Sequence, residues 1–124
     1  VNNLEYLRWM LDAAFHHSEK AGCTAATLAS GSVWVVRSHK IEYLKPAFAG
    51  DKIVILTWVS NFRKVRSLRK YKVFRENDLA LLSHGETDWV YVDIQNGKLR
   101  PIPAEIAGMF EIIPEDREPK KLEL

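Results

Sequence analysis

The sequence predicts an α+β fold in which one long helix is wrapped by a curved antiparallel sheet. Three observations predict it. Apolar residues recur at helical spacing from Leu4 to the glycine at position 22 and nowhere else over a comparable length. From Val33 to Ile102 the chain is a series of β-forming runs separated by turn residues. A sheet that is apolar on one face must bury that face, and a single helix is available to cover it.

In the helix, Leu4, Leu7, Leu11, Ala14 and Phe15 form the apolar stripe, widened by Tyr6, Met10 and Ala13, while Glu5, Arg8, Asp12 and Glu19 lie on other faces. Asn2 or Asn3 is the expected N-cap, because a short amide side chain accepts a bond from a first-turn N–H that has no helical partner. Gly22 is expected to end the helix in the left-handed conformation. Thr24, Ala25, Ala26, Thr27, Ala29 and Ser30 then read as a connector without a strong period.

Strands follow. Between Val33 and Leu44 the apolar parity changes from even (Trp34, Val36) to odd (Ile41, Tyr43), which predicts a bulge or bend near Arg37 to Lys40. Pro46 closes this strand, and Ala49-Gly50-Asp51 is a turn. The apolar run from Lys52 to Asn61 predicts a central strand covered on both faces. After Arg63, Lys64 and Arg66 in a turn, the strand from Ser67 to Arg75 sets Tyr71 and Val73 opposite Lys70, Lys72 and Phe74. A fourth strand runs from about Leu79 to Ile94 and ends at the turn signal Asn96-Gly97. Leu99 to Ile102 is a short closing strand, residues Pro103 to Met109 a helical turn, and Pro114 to Leu124 a frayed tail. Nothing splits the chain, so residues 1–124 are read as one domain with its core in 1–103 and a tail at 104–124.

Composition limits the function. With 124 residues, 47% hydrophobic, and a formal charge of +2, the chain reads as one soluble domain whose net charge is too small for a general nucleic-acid binder. No apolar run approaches bilayer length, and the lone Cys23 excludes an intrachain disulfide and fits a reducing compartment, so no membrane association and a cytoplasmic location are expected. The chain opens at Val1, one residue before a helix cap, which leads us to expect an N-terminal strand and loop ahead of it. An open edge strand needs protection, and edge pairing between two copies is an economical way to provide it; a homodimer with a continuous sheet is expected.

Several side chains are candidates for chemistry. Asp12 and His16, four apart, share a helix face, and Arg8 also reaches Asp12; the group reads either as an acid/base pair or as a surface network. His17 is read as a helix-surface or interface residue. The histidines at 16, 17, 39 and 84 have no spacing that calls for a metal. Seven cations, Arg63, Lys64, Arg66, Arg69, Lys70, Lys72 and Arg75, lie within thirteen residues without a carboxylate. They are either a solvated strand face or a phosphate cradle, since guanidinium forks pair with phosphate oxygens bidentately.

Val1-Asn2-Asn3 followed by Tyr6-Leu7-Arg8-Trp9, and Ile41-Glu42-Tyr43-Leu44-Lys45-Pro46 with Gly50-Asp51, resemble the hotdog-fold thioesterases, particularly the 4-hydroxybenzoyl-CoA thioesterase and fatty acyl-ACP thioesterase branch. The similarity runs through Thr87-Asp88-Trp89-Val90 and covers about residues 1 to 103. It implies a hydrolase that converts an acyl-CoA or acyl-ACP thioester to acid and thiol, with no metal or redox cofactor. It also implies a homodimer or a dimer of dimers. The principal catalytic carboxylate is expected in the loop ahead of Val1. Within the chain, the resemblance implies an oxyanion site at the backbone N–H near Asn3, with Asn2 beside it and Asp12 aligned with a helix carboxylate of the acyl-ACP enzymes. Tyr6, Arg63, Lys64 and Arg66 are the implied substrate-binding residues. The alternative is a non-catalytic acyl-thioester-binding or regulatory hotdog domain, since fold does not fix function. A nucleic-acid module is a weaker reading, because no aromatic platform is interleaved with the cations.

Overall fold

Helix α1 (Asn3–Lys20) lies on one face of a four-stranded antiparallel sheet and sets the position of everything around it. The computed structural model describes residues 3–121, Asn3 by its backbone alone. After α1 come a short helix α2 (Cys23–Ala29) and the strands β1 (Ser32–Tyr43), β2 (Ile53–Phe62), β3 (Arg66–Arg75) and β4 (Leu81–Asp93). A four-residue helix α3 (Ala104–Ala107) and a 3-10 turn (Glu115–Arg117) complete the order. The strands are arranged β1-β4-β3-β2. This is the hotdog architecture that the sequence predicts.

Tyr6, Met10 and Ala14, spaced by one helical turn, are the residues of α1 that enter the core, against Tyr71, Val73, Leu82 and Ala47. Two residues placed in the expected stripe do not follow them. Leu4 is 75% exposed and Phe15 57% exposed. The apolar arc of this helix is wider than one contact face, and the sheet takes the side centred on Met10. Met10 sits over Gly85 of β4, where a Cβ would stand 3.1 Å from its Sδ, from Ile41 Cγ1 and from the Lys40 carbonyl. The helix approaches the sheet where a strand has no side chain. His17 and Ser18, at the other end of α1, reach Arg69 near the start of β3. The helix therefore runs opposite to β3, with its N-terminal half over the Val73 end.

Gly22 ends α1 in the left-handed region, at φ 86°, as expected. The segment beyond it is not an irregular connector: Cys23–Ala29 is helical, begun by the Gly22 carbonyl accepting from Ala26 N–H at 3.1 Å. Three alanines in seven residues carry the helix propensity, but the piece is too short to display a period. The register of β1 on β4 shifts between Val36 and Ser38, so the bulge lies at Arg37, within the bend foreseen from parity.

β2 is an edge strand of the described sheet, not the central strand its apolar run suggests. Its inner face lies on α1, and near its end the edge is capped by the C-terminal segment, through the Val59–Ile112 bridge and an Ile113 N–H bond to the Val59 carbonyl. Those contacts use the apolar residues that a second neighbouring strand would otherwise need. Phe74, expected on the lysine face of β3, is buried because the β3–β4 register shifts between Val73 and Phe74. The tail is also more ordered than expected. Lys70 Nζ holds Glu118 at 2.7 Å, and Lys72 donates to the Pro119 carbonyl, so residues up to 119 lie along the outer sheet face beside the buried Trp58. No helix among the described residues is long and apolar enough to cross a membrane.

The contact at Gly85 gives a direct test. Gly85→Val forces Met10 and Ile41 apart and is expected to lower stability by about 1–3 kcal/mol, the usual range for overpacking. Urea denaturation measures it; an unchanged midpoint means that the helix does not rest on this glycine.

Candidate active site

The site is built from the start of α1. The first amides of a helix have no partner within it and carry the positive end of its dipole, so they are donors already aimed at incoming negative charge. Here α1 begins at Asn3, and exposed Leu4 puts that first turn at the surface. Asn2, and the side chain of Asn3, lie outside the described residues. Tyr6 fixes the turn from beneath: buried, it meets Trp9 and Tyr43 edge-on at 5.3 and 5.4 Å and donates to the Lys45 carbonyl at 3.2 Å. It anchors the helix start to the segment after β1.

Beside this turn, on the flank of α1 that the sheet leaves uncovered, Leu4, Leu11 and Phe15 form an apolar ridge, and Phe15 meets Trp89 of β4 at 6.1 Å. Asp12 and His16 are exposed next to it. Among the described residues no ion pair or hydrogen bond links Asp12 to His16 or to Arg8, which instead approaches Glu5 at 3.7 Å. Asp12 is exposed and has no side-chain partner among the described residues.

The seven-cation segment does not form one patch. Arg66 pairs with Asp88 at 2.9 Å, Lys70 with Glu118, and Arg75 with Asp51 and Asp78 at 3.3 and 3.1 Å. Hydrogen bonds to Asp78 and Asp51 raise the pKa of Arg75, and Arg75 lowers that of Asp78. Arg63 and Lys64 are exposed in the β2–β3 turn and have no carboxylate partner among the described residues. That turn is at the far end of β3 from the start of α1. Arg66 and Val73 are seven strand residues apart, or about 23 Å, so one chain does not bring the basic turn to the helix start.

Two inner-face groups take roles that the sequence does not assign them. Arg69, placed there among the surface cations, is 5% exposed. Its Nη1 donates to His17 Nδ1 at 2.9 Å and to Thr57 Oγ1 at 3.2 Å, and its guanidinium lies 5.4 Å from the centre of the Phe110 ring. His17 is accordingly a half-buried partner of the core and not a surface residue. Burial, then the charge of Arg69, lowers its pKa, and the bond requires a neutral Nδ1 acceptor. Strand parity carried the signal, since Arg69 shares the face of Tyr71 and Val73. The second group is a chain of bonds: Tyr71 donates to Thr87 Oγ1 at 3.0 Å, and His39 Nδ1 of the edge strand β1 lies 2.9 Å from the same oxygen. Burial raises the pKa of Tyr71 and lowers that of His39.

The same architecture occurs in solved thioesterases. YbaW, a probable thioesterase from Escherichia coli, superposes with a TM-score of 0.80 at 19% identity, over 88% of this chain and 82% of that one. The 1,4-dihydroxy-2-naphthoyl-CoA thioesterase Slr0204 from Synechocystis gives 0.75 at 17% identity, over 83% and 77%. A DHNA-CoA thioesterase from Staphylococcus aureus gives 0.72 at 24%, over 85% and 69%. At these identities the likeness speaks for the fold. No curated protein sequence matches the chain. The family model for the acyl-ACP thioesterase N-terminal domain matches residues 4–110, which take in α1, the whole sheet and α3. The chain belongs to that family of hotdog thioesterases.

Proposed function

We propose that the chain is one subunit of a homodimeric thioester hydrolase acting on acyl-CoA or acyl carrier protein. The observation that carries this reading is the exposed first turn of α1 beside the uncovered ridge of Leu4, Leu11 and Phe15. Donors for an oxyanion and an apolar bed for an acyl chain then lie side by side. As thiolate is expelled from the thioester carbonyl, negative charge grows on its oxygen, and fixed amides stabilise that charge without reorganising.

A water must also be activated, and Asp12 is an exposed carboxylate on the same helix, beside the ridge. Nine residues separate it from Asn3, about 13 Å along the axis, and a general base works within about 3 Å of the proton it removes. One helix cannot supply both groups to one carbonyl. Pairing of β1 with a second β1 resolves this. In an antiparallel edge pair the two α1 helices lie on the same face of a continuous sheet and run in opposite directions. Asp12 of the partner subunit then stands on the side from which the first turn of this chain is approached. The same reversal carries the partner's basic turn toward the end of the assembly where α1 begins. There Arg63, Lys64 and Arg66 would hold the phosphates of the carrier. Exposed Val35, Tyr43 and Leu44 along and beyond β1 support this edge as the one that pairs. The non-catalytic alternative is decided by the same measurements, since a binding module releases no thiol.

Three outcomes are expected. Light scattering at micromolar concentration gives a dimer, and a stable monomer removes the two-chain site. Asp12→Asn lowers kcat by about a hundredfold or more with little change in KM, measured by thiol release over a panel of aromatic, short and long acyl thioesters; wild-type kcat excludes Asp12 from the chemistry. Replacing Arg63, Lys64 and Arg66 together by Ala raises KM for an acyl-CoA about tenfold but not for a short thioester lacking the nucleotide. Equal effects on both rule out a phosphate role.

A further inference from the structure

A cavity of about 210 Å³ lies between the C-terminal half of α1, helix α2 and the inner sheet face. Its walls are mostly apolar and aromatic, with Trp34, Phe62 and Trp89 among them. Phe15, and Leu28 at 61% exposed, form its mouth, and nearly buried Arg69 lines its floor. We propose that this cavity binds an organic carboxylate, head group on the Arg69 guanidinium and apolar body toward Phe15 and Leu28.

The charge of Arg69 is what an occupant of this cavity would answer. A guanidinium keeps its proton in proteins and carries five N–H donors. Arg69 meets only neutral acceptors: His17 Nδ1, Thr57 Oγ1 and, at 3.5 Å, Ser18 Oγ. Among the described residues no carboxylate lies within ion-pair distance of it, whereas Arg66, Lys70 and Arg75 of the same strand each have one. Removing a cation from water without a counter-ion is costly, and the ring of Phe110 at 5.4 Å offsets part of that cost without supplying an anion. Nη1 is taken by His17 and Thr57, which leaves Nε and Nη2, the latter with only the long contact to Ser18, for an incoming oxygen; Ser18 itself lines the cavity. A small inorganic anion would satisfy the charge but leave the aromatic walls empty; an alcohol would fill the walls but not the charge. An acid with an apolar tail satisfies both. The inference does not depend on hydrolysis, because it concerns binding to the single chain and is measured without turnover.

Octanoate and 1-octanol, titrated into the full chain and followed by the fluorescence of Trp34 and Trp89 and by calorimetry, separate the possibilities. Octanoate is expected to bind at least about tenfold more tightly than octanol, the factor a charge-assisted bond supplies. Arg69→Met should abolish that preference while leaving octanol binding in place. Leu28→Trp, at an exposed position, should weaken both ligands by blocking the mouth, and it decides the matter if the Arg69 variant does not fold. Equal affinities for acid and alcohol in the wild-type chain, or octanoate binding untouched by both variants, overturn the proposal.

Discussion

The closeness of α1 to the sheet at Gly85 is the constraint on which the rest depends. A helix normally stands off a sheet by the length of the side chains between them, but here Met10 reaches a position where β4 has none. Tyr6 and Ala14, one turn to either side, bury with it. Each large side chain removed from water contributes about 1.5–3 kcal/mol, so this one face fixes how the helix is rotated about its axis. That rotation also decides what is left outside. With the Met10 side turned inward, Leu4 and Phe15 remain uncovered and Asp12 faces solvent.

Much of this architecture can be read from the chain. The change from a helical period before Gly22 to β-forming runs from Val33 separates helix from sheet, and the parity change in β1 locates the bulge near Arg37. The face of α1 cannot be read so directly. Its apolar arc includes two candidate faces, and nothing within the helix says which one meets a sheet that forms later in the sequence. The place of β2 at an edge escapes for a related reason: an apolar run reports coverage, and it does not distinguish a neighbouring strand from the segment around Ile112.

The candidate site was legible to a lesser degree. The start of α1 follows from the apolar period and the asparagines that open it, and exposed Leu4 puts its first turn at the surface. The seven cations do not act as one patch, because two lie in the β2–β3 turn and the other five are divided between the faces of β3. Arg69 faces the core, Lys70 and Lys72 hold the tail, and Arg75 holds a pair of aspartates. Proximity along a strand is not proximity in space when neighbours point in opposite directions. Arg69 shares the parity of Tyr71 and Val73, but its charge, which usually marks exposure, runs against that signal.

The C-terminal segment covers part of the outer sheet face. Glu118 and Pro119, tethered to Lys70 and Lys72, occupy ground on the outer sheet face beside Trp58, whose indole N–H has no partner among the described residues. Two sheets packed back to back need about 10 Å between them, filled by interleaved side chains. Along residues 118–119 that ground is taken by main chain, so the outer face of β3 beside Trp58 is already covered by the protein's own C-terminal segment.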